Sequence, residues 1–247
     1  ERPKTDDQLK KAIKKAKGYK TNFNVGLGIG QQSDLFIGGN PNIPVIPVVG
    51  FKYKNFYGFG ITLGYTFYWG WPTLSLAVMP ELISLEPEVG QETEGLTTRR
   101  STLNAGLKAI FPTKQFIATL DIFHDTLNRY DGLKVNLDIN RPFKISKKFQ
   151  VIAGLGLNWV SSNYTDYYFG VTAQEVARAP SGSPLSVFNG EQAFQGKAQL
   201  VAIYDLSKRT ALVLIEEFTH LPSQISDSPI VAKDYINRLY ATITYSF

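Results

Sequence analysis

Residues 235–247 read YINRLYATITYSF, and this stretch indicates the fold class. It alternates with a period of two, which is typical of a β-strand whose two faces meet different surroundings. One face consists of Tyr235, Asn237, Leu239, Ala241, Ile243, Tyr245 and Phe247, and the other of Arg238, Tyr240, Thr242, Thr244 and Ser246. The stretch closes on an aromatic residue of the apolar face. Because this ending resembles the signal read by the outer-membrane barrel-assembly machinery, we expect Tyr245 and Phe247 to serve as that signal.

The same alternation recurs along the chain, at 57–69, 101–111, 132–140 and 150–159. These stretches exceed the about 5–6 residues of an ordinary strand and approach the about 9–11 residues of a tilted strand that crosses a bilayer. In each, one face carries large apolar side chains and the other carries small or polar ones. A soluble β-sandwich instead packs its large apolar residues inside. The pattern therefore predicts a barrel with an apolar outer surface and a polar lumen.

The expected architecture is all-β: a transmembrane, antiparallel, up-and-down β-barrel formed by residues 19–247. Eleven candidate strands are visible, at 20–30, 43–53, 56–69, 73–85, 101–111, 115–125, 132–141, 149–159, 191–205, 210–221 and 235–247. Bacterial single-chain barrels have even strand numbers, so we favour twelve strands, with ten as the alternative. Either 43–53, which contains Pro44 and Pro47, is no strand, or 80–99 contains one more.

The connections between these candidate strands fall into two classes. Short ones occur near 111–114, 141–148 and 206–209, and long ones at 86–99, 160–190 and 223–234. Short periplasmic turns and long extracellular loops are typical of outer-membrane barrels. We therefore expect the long connections to lie outside the cell.

The positive charge of the chain is concentrated at its beginning. The formal net charge is +5, and residues 1–18 carry seven basic and three acidic side chains. The remainder is nearly neutral, which argues against a nucleic-acid partner. We expect 1–18 to form a basic periplasmic arm or a short interfacial helix. This segment has no apolar signal-peptide core, so we expect the chain to be the mature form of an exported protein.

Few residues offer catalytic or metal-binding chemistry. Cysteine is absent and there are two histidines. His124 stands beside Asp125, and His220 stands near Ser223 and Ser226, which are the materials of a lipid-modifying hydrolase in which a histidine activates a serine. No motif ties them together. We therefore predict no catalytic residues, no metal site and no cofactor.

Two groups of residues are candidates for ligand contact. The polar faces of the predicted strands place Lys108, Lys134, Asn136, Asp138 and Lys197 in the lumen. The long 160–190 connection contains Tyr164, Tyr167, Tyr168 and Phe169. These aromatic residues form either an extracellular recognition surface or a packed cap, and recognition requires a contiguous exposed patch.

Several segments resemble the MltA-interacting protein/outer-membrane protein V family. They are Arg100-Ser101-Thr102 with Ala105-Gly106-Leu107, Asp125-Thr126-Leu127, NYTDYYFGVTAQE at 163–175, SDSPIV at 226–231 and the terminal Tyr-x-Phe. The likeness covers roughly residues 22–247. It implies a non-enzymatic outer-membrane protein that in some members is a scaffold between a lytic transglycosylase and a murein synthase.

Three functions compete at this point. The first is a scaffold for periplasmic murein-processing enzymes, acting through the periplasmic turns and the basic arm. The second is a narrow diffusion channel or small-molecule-binding barrel, and the third is a lipid-modifying enzyme. In each case we expect outer-membrane lipid and the barrel-assembly machinery as partners.

Overall fold

A computed structural model of the protein describes residues 22–38 and 45–247, and these form an antiparallel barrel of twelve strands. The strands are β1 (Asn22–Gln32), β2 (Val45–Tyr53), β3 (Phe56–Phe59), β4 (Thr62–Trp69), β5 (Thr73–Glu81), β6 (Thr102–Pro112), β7 (Ile117–Asp125), β8 (Leu133–Lys144), β9 (Phe149–Val160), β10 (Ala193–Asp205), β11 (Thr210–His220) and β12 (Tyr235–Ser246). Each strand pairs with its neighbours in sequence, and β1 pairs with β12 to close the ring. The up-and-down barrel and the preferred strand number are confirmed. The expected arm at 1–18 lies outside the described residues.

Short helices occur in the connections at one end of the barrel. They are α1 (Ser162–Phe169), α2 (Ala173–Arg178) and α3 (Ser223–Ser226). Among the described residues, no helix is long and apolar enough to span a membrane. The opposite end holds turns of two to four residues and the end of β12. With an even strand number and short turns at that end, it corresponds to the periplasmic side.

The region 56–69, which we expected to be one strand, is a hairpin. β3 ends at Phe59 and β4 begins at Thr62, which leaves the two-residue turn Gly60-Ile61. Gly60 has a φ of 58°, a conformation that glycine adopts without steric cost. The hairpin supplies the twelfth strand. The alternative of an additional strand within 80–99 is wrong, because beyond β5 that stretch is loop with one isolated bridge, Leu85 to Arg99.

The alternative that 43–53 is no strand is also wrong, because β2 lies there. Pro47 pairs with Leu27 of β1. β2 pairs with β3 only from Gly50 onward. The second edge of β2 is therefore open at Pro47, and proline is tolerated on a strand edge that needs no ladder donor.

Large apolar side chains cover the outside of the barrel. Those more than 40% exposed include Leu27, Ile29, Leu107, Leu137, Ile139, Leu155, Leu157, Leu212, Leu214, Leu239 and Ile243. The alternate positions point inward and include buried Ser75, Asn104, Asp121 and Thr242. A polar interior inside an apolar exterior is the arrangement of a barrel solvated by lipid.

Candidate functional site: the lumen and its extracellular cap

Four ion pairs connect strands across the inner surface of the barrel. They are Lys108 Nζ–Asp121 Oδ2 at 2.8 Å, Lys134 Nζ–Glu81 Oε2 at 2.7 Å, Lys197 Nζ–Asp138 Oδ1 at 2.6 Å, and Arg238 Nη1–Glu217 Oε1 at 2.7 Å. All eight side chains are at most one quarter exposed. Charges that are largely removed from water require compensation by a partner. The lumen is therefore internally neutralised at each of these positions.

The sequence explains how these pairs reach one another. Lys108 and Asp121 are direct cross-strand neighbours of β6 and β7. Asp138 and Lys197 lie on β8 and β10, and the residue between them on β9 is Gly156. A Cβ at Gly156 would collide with the Asp138 carboxylate. The absence of a side chain there leaves room for the salt bridge to cross β9.

The five residues that we predicted to line the lumen lie on inward-facing positions. Lys108, Lys134, Asp138 and Lys197 are members of the ion pairs, and Asn136 is 7% exposed. The partners Asp121 of Lys108 and Glu81 of Lys134 were not singled out from the sequence, although each lies on an alternating strand. The Asn136 Oδ1 atom has no hydrogen-bond partner among the described residues, nor does Asn158 Oδ1 of the neighbouring strand.

The loops at the extracellular end fold into one packed body, which we call the cap. It is built from the described parts of the β1–β2, β5–β6, β7–β8, β9–β10 and β11–β12 loops and contains the main cluster of buried apolar residues. Its centre includes Tyr168, Leu221, Ile225 and Ile230, each fully buried. Burying apolar side chains this completely supplies the stability of the cap.

An ion pair and its hydrogen bonds tie the cap loops together. Arg99 Nη1 lies 2.9 Å from Glu175 Oε1, and both side chains are less than a tenth exposed. Glu175 also accepts hydrogen bonds from the backbone N–H groups of Thr97 and Thr172. Burial alone would raise the pKa of Glu175, but the hydrogen bonds from Arg99, Thr172 and Thr97 outweigh it and lower this pKa to about 2. Glu175 is therefore a carboxylate at neutral pH.

Asp125 organises the β7–β8 loop from the end of β7. Its carboxylate accepts hydrogen bonds from Thr102 Oγ1 and from the backbone N–H groups of Leu127, Arg129 and Tyr130. Tyr130 in turn donates from its hydroxyl to Asn104 Oδ1 at 2.6 Å. The carboxylate is thus occupied by structural hydrogen bonds.

The aromatic segment expected as a possible recognition surface is buried in the cap. Tyr164, Tyr168 and Phe169 are each at most 2% exposed. Tyr167 packs against Tyr168, with ring centroids 4.9 Å apart. Tyr167 is partly exposed. The burial of the other three rings favours the alternative of a packed cap, because buried rings do not form an exposed patch, and recognition by this segment stays a prediction.

The two histidines lie on separate strands. His124 lies on β7 and His220 on β11, with three strands between them. His124 Nδ1 lies 2.7 Å from the backbone oxygen of Asp125, and the Asp125 carboxylate is held by the loop. Within the described residues, no three acidic, histidine or cysteine side chains are grouped so that they could hold a metal ion.

Tyr245 and Phe247 lie at the periplasmic end. Phe247 is 71% exposed, and its ring packs against Phe23 and Tyr245 at centroid distances of 5.7 and 5.0 Å. Its backbone N–H donates to the Phe23 oxygen at 3.0 Å. Arg209 donates to the Tyr245 hydroxyl. The two residues thus stand at the seam where β12 meets β1.

This barrel, with its apolar exterior, salt-bridged lumen and capped extracellular end, is an outer-membrane β-barrel protein. The family model described as MltA-interacting protein MipA matches residues 25–247, and the chain belongs to that family. The protein therefore resides in the outer membrane of a Gram-negative bacterium.

Similar proteins include an MltA-interacting protein and outer membrane protein OmpV. The chain is 25% identical over 230 residues to the MltA-interacting protein of Escherichia coli, covering 91% of this chain and 90% of the relative. It is 22% identical over 165 residues to outer membrane protein OmpV of Vibrio cholerae, and the match covers 67% of this chain and 62% of OmpV. Among solved structures, the NalP translocator domain of Neisseria meningitidis matches with a TM-score of 0.44 at 10% sequence identity. The match covers 98% of this chain and 95% of the translocator domain. An outer membrane channel from Pseudomonas putida matches with a TM-score of 0.43 at 12% sequence identity. The match covers 92% of this chain and 95% of the channel.

Three of the segments that carried the family resemblance meet in the cap. Asp125 holds the β7–β8 loop, the 163–175 segment forms α1 and the start of α2, and Ser228 of the SDSPIV segment donates to the Phe169 oxygen at 2.5 Å. These segments are far apart in sequence. The cap therefore brings together parts of three of its loops that the family resemblance rests on.

Proposed function

We propose that this protein is a non-enzymatic scaffold of the outer membrane that binds murein-processing enzymes at its periplasmic end. The observation that carries the proposal is the charge of the periplasmic turns. The five turns contain six basic and no acidic residues, namely Lys54, Lys114, Lys147, Lys148, Lys208 and Arg209. All six are exposed. They form a basic rim available to an acidic surface in the periplasm.

The extracellular end has the opposite character. Its described loops contain eleven acidic residues, Asp34, Glu86, Glu88, Glu92, Glu94, Asp131, Asp166, Glu175, Glu191, Asp227 and Asp234. They contain five basic residues, Arg99, Arg100, Arg129, Arg178 and Lys233. The segregation of positive charge to the periplasmic end directs electrostatic attraction toward periplasmic partners. The name of the Escherichia coli relative, which refers to interaction with MltA, supports the same direction.

Charge reversal at the rim tests this function. Lys147→Glu with Lys148→Glu should lower co-purification of the host's lytic transglycosylases with the barrel, and the wild-type interaction should weaken at high salt because exposed charges are screened. Lys233→Glu changes a charge at the extracellular end and serves as the matched control. Equal recovery of the enzymes with all three proteins would refute the scaffold.

A small-molecule-binding lumen is the second candidate, and one observation favours it. The Oδ1 atoms of Asn136 and Asn158 are buried on paired strands without a hydrogen-bond partner among the described residues. Buried amide oxygens of this kind are usually satisfied by water or a ligand. Single-channel conductance in planar bilayers tests this function, with a solute that blocks wild type but not Asn136→Leu as the positive result.

A further inference from the structure

One carboxylate lies on the apolar outer surface of the barrel. Glu216 of β11 pairs with Leu200 of β10 and with Leu239 of β12, and these leucines are 50% and 41% exposed on the outward face. Glu216 therefore points outward as well, and it is the one outward acidic side chain among the described strand residues. It lies about 13 Å along β11 from His220, the last residue of that strand. Ionisable side chains at membrane depth are rare, and they usually face a partner.

Glu216 lines a groove of about 350 Å³ on the outer surface of β1, β12 and β11, which we call the outer groove. Gln31, Leu239 and Glu216 form one row across these three strands, and Asn237 lines the groove beside them. The side chains of Gln31, Asn237 and Glu216 have no hydrogen-bond or ion-pair partner among the described residues. Two amides and one carboxylate therefore face the membrane with unused donors and acceptors.

Two opposite charges lie at the upper edge of the outer groove. Phe36 and Val231 form an antiparallel bridge, so Asp34 and Lys233 lie across from each other two residues further along. Both line the groove, yet no ion pair joins them in the described part of the chain. The Lys233 Nζ atom lies instead 5.6 Å from the centroid of the Tyr235 ring. Each of these two charges is thus available to an opposite charge from outside the chain.

A second copy of the chain, related by two-fold symmetry, offers complementary groups to the outer groove. An axis along the membrane normal keeps both copies in the same orientation, and in front of β12 it places β1 of one copy opposite β11 of the other. Gln31 of one copy then faces Glu216 of the other, and its amide can donate to the carboxylate. Asp34 faces Lys233 in the same way. In such an interface each contact occurs twice, and hydrogen bonds from glutamine and asparagine stabilise association within membranes.

The charge of the outer groove argues against a phosphorylated lipid as its occupant. The groove contains two carboxylates, Asp34 and Glu216, and one cation, Lys233. An anionic head group that contacts Lys233 also meets these carboxylates, and like charges placed side by side are repelled. A second copy presents a donor or a cation to each carboxylate.

We infer that the outer groove is the interface of a homodimer in the outer membrane. Leu239 lies at its centre, near the two-fold axis. Phe218 and Tyr235 stack with ring centroids 5.6 Å apart beside the groove and supply apolar contact area. The pairs Gln31–Glu216 and Asp34–Lys233, each formed twice between the copies, fix the register of the interface. This inference goes beyond the scaffold function and concerns the outer surface, away from the periplasmic rim.

Disulfide crosslinking of the folded protein in phosphatidylcholine vesicles tests the interface. The chain contains no cysteine, so a single introduced cysteine reports on its neighbour in another copy. Under mild oxidation, Leu239→Cys should yield about tenfold more disulfide-linked dimer than Leu137→Cys, which lies outward on β8; this ratio corresponds to about 1.4 kcal/mol. Equal yields would indicate random collisions and would overturn the inference. If Leu239→Cys does not fold, Asn237→Cys reports from the same groove.

The same experiment separates a second copy from a lipid. Lipopolysaccharide is added to the vesicles before oxidation, and the dimer from Leu239→Cys should persist. Loss of the dimer at rising lipopolysaccharide would identify an anionic lipid as the occupant of the outer groove and would refute the homodimer.

Charge exchange shows whether the contacts are formed between two chains. Asp34→Lys and Lys233→Asp are each combined with Leu239→Cys, and folding is verified by heat-modifiable gel migration. Either protein alone places like charges in contact across the axis and should lose about tenfold in dimer yield, or about 1.4 kcal/mol. An equal mixture of the two proteins should restore the yield, because the basic groups of one chain then meet the acidic groups of the other. A mixture that crosslinks no better than its components would refute the assigned contact.

Glu216 is tested separately from these charges. Glu216→Leu removes the acceptor for Gln31 and should lower the dimer yield of Leu239→Cys by a similar factor. Leu200→Ala, beside Glu216 but outside the outer groove, is the matched control and should leave the yield unchanged. An unchanged yield with Glu216→Leu would remove this carboxylate from the interface and overturn the inference.

Discussion

Arg99 and Glu175 form a buried ion pair with 2.9 Å between Nη1 and Oε1, and this pair joins the β5–β6 loop to helix α2 of the β9–β10 loop. Arg99 also donates to the Gly170 oxygen, at the end of α1, and to the Thr97 oxygen. Because the two partners come from different loops, their contact exists only when the cap is assembled.

Removal of one partner should open the cap while the barrel stays folded. Glu175→Gln leaves Arg99 buried without an anion, and breaking a buried pair in this way costs about 3–5 kcal/mol. We expect faster limited proteolysis within 82–101 and 161–192, with unchanged heat-modifiable migration of the barrel. Glu191→Gln, at an exposed position of the same loop, is the control and should match wild type.

The same carboxylate should make the cap sensitive to acid. The pKa of Glu175 is lowered from 4.5 to about 2 in the folded protein. A lowered pKa contributes stability that is fully present above pH 4.5 and is lost as the pH falls toward 2. Near-ultraviolet circular dichroism of the cap tyrosines should therefore decline between these values more steeply in wild type than in Glu175→Gln. Parallel curves for the two proteins would contradict the assignment.

Glycine positions on the strands should differ in their tolerance of a methyl group. A Cβ at Gly106 of β6 would collide with the backbone oxygen of Ile122 on β7, whereas a Cβ at Gly196 of β10 would meet nothing within 4 Å. Overpacking of this kind costs about 1–3 kcal/mol. We expect Gly106→Ala to lower the urea midpoint of unfolding in lipid vesicles and Gly196→Ala to leave it unchanged. Similar midpoints for both variants would show that β6 and β7 separate freely.

A charge on the outer surface should be penalised according to its depth. Leu137 faces outward near the middle of β8, and Leu206 faces outward in a periplasmic turn. Arginine costs about 2–4 kcal/mol at the midplane of the bilayer and about 0–1 kcal/mol near its surface. The free energies of folding of Leu137→Arg and Leu206→Arg into lipid vesicles should differ by that amount. Equal penalties would mean that one of the two residues does not face the lipid at its assigned depth.

The strands were largely predictable because alternation with period two reports which face of a strand meets lipid. The prediction failed at 56–69, where the apolar pattern continues through the Gly60-Ile61 turn without interruption. Because Gly58 and Gly64 also interrupt this stretch, Gly60 alone did not mark the position of a turn. The hairpin reverses the chain, so Tyr57 and Phe59 lie on the lumen side although they share a sequence pattern with outward Leu63.

The cap could not be derived from periodicity, because its residues follow no repeat. Glu175 and Arg99 meet only after the barrel brings their loops together. The burial of Tyr168 depends in the same way on contacts with distant loops. The family resemblance drew attention to the 163–175 and 226–231 segments but did not indicate that they pack against one another.

The last prediction concerns the end of β12. Phe247 is largely exposed, and its ring contacts Phe23 on β1 and Tyr245 on the same strand. Replacement by glutamate removes the aromatic contacts at the closing seam and places a charge beside the aromatic residues of the membrane interface. We expect Phe247→Glu to lower the fraction of heat-modifiable protein in the outer membrane, while the amount secreted to the periplasm stays constant.

A matched variant distinguishes an assembly defect from a loss of stability. Leu206→Glu introduces the same charge at the same end of the barrel but away from the seam. If Phe247 is part of the assembly signal, Phe247→Glu should assemble poorly in cells and yet refold normally from urea into vesicles, because the contacts that it loses are exposed. Leu206→Glu should behave like wild type in both measurements. Normal assembly of Phe247→Glu in cells would remove Phe247 from the signal, and failure of both assembly and refolding would assign it a structural role at the β1–β12 seam.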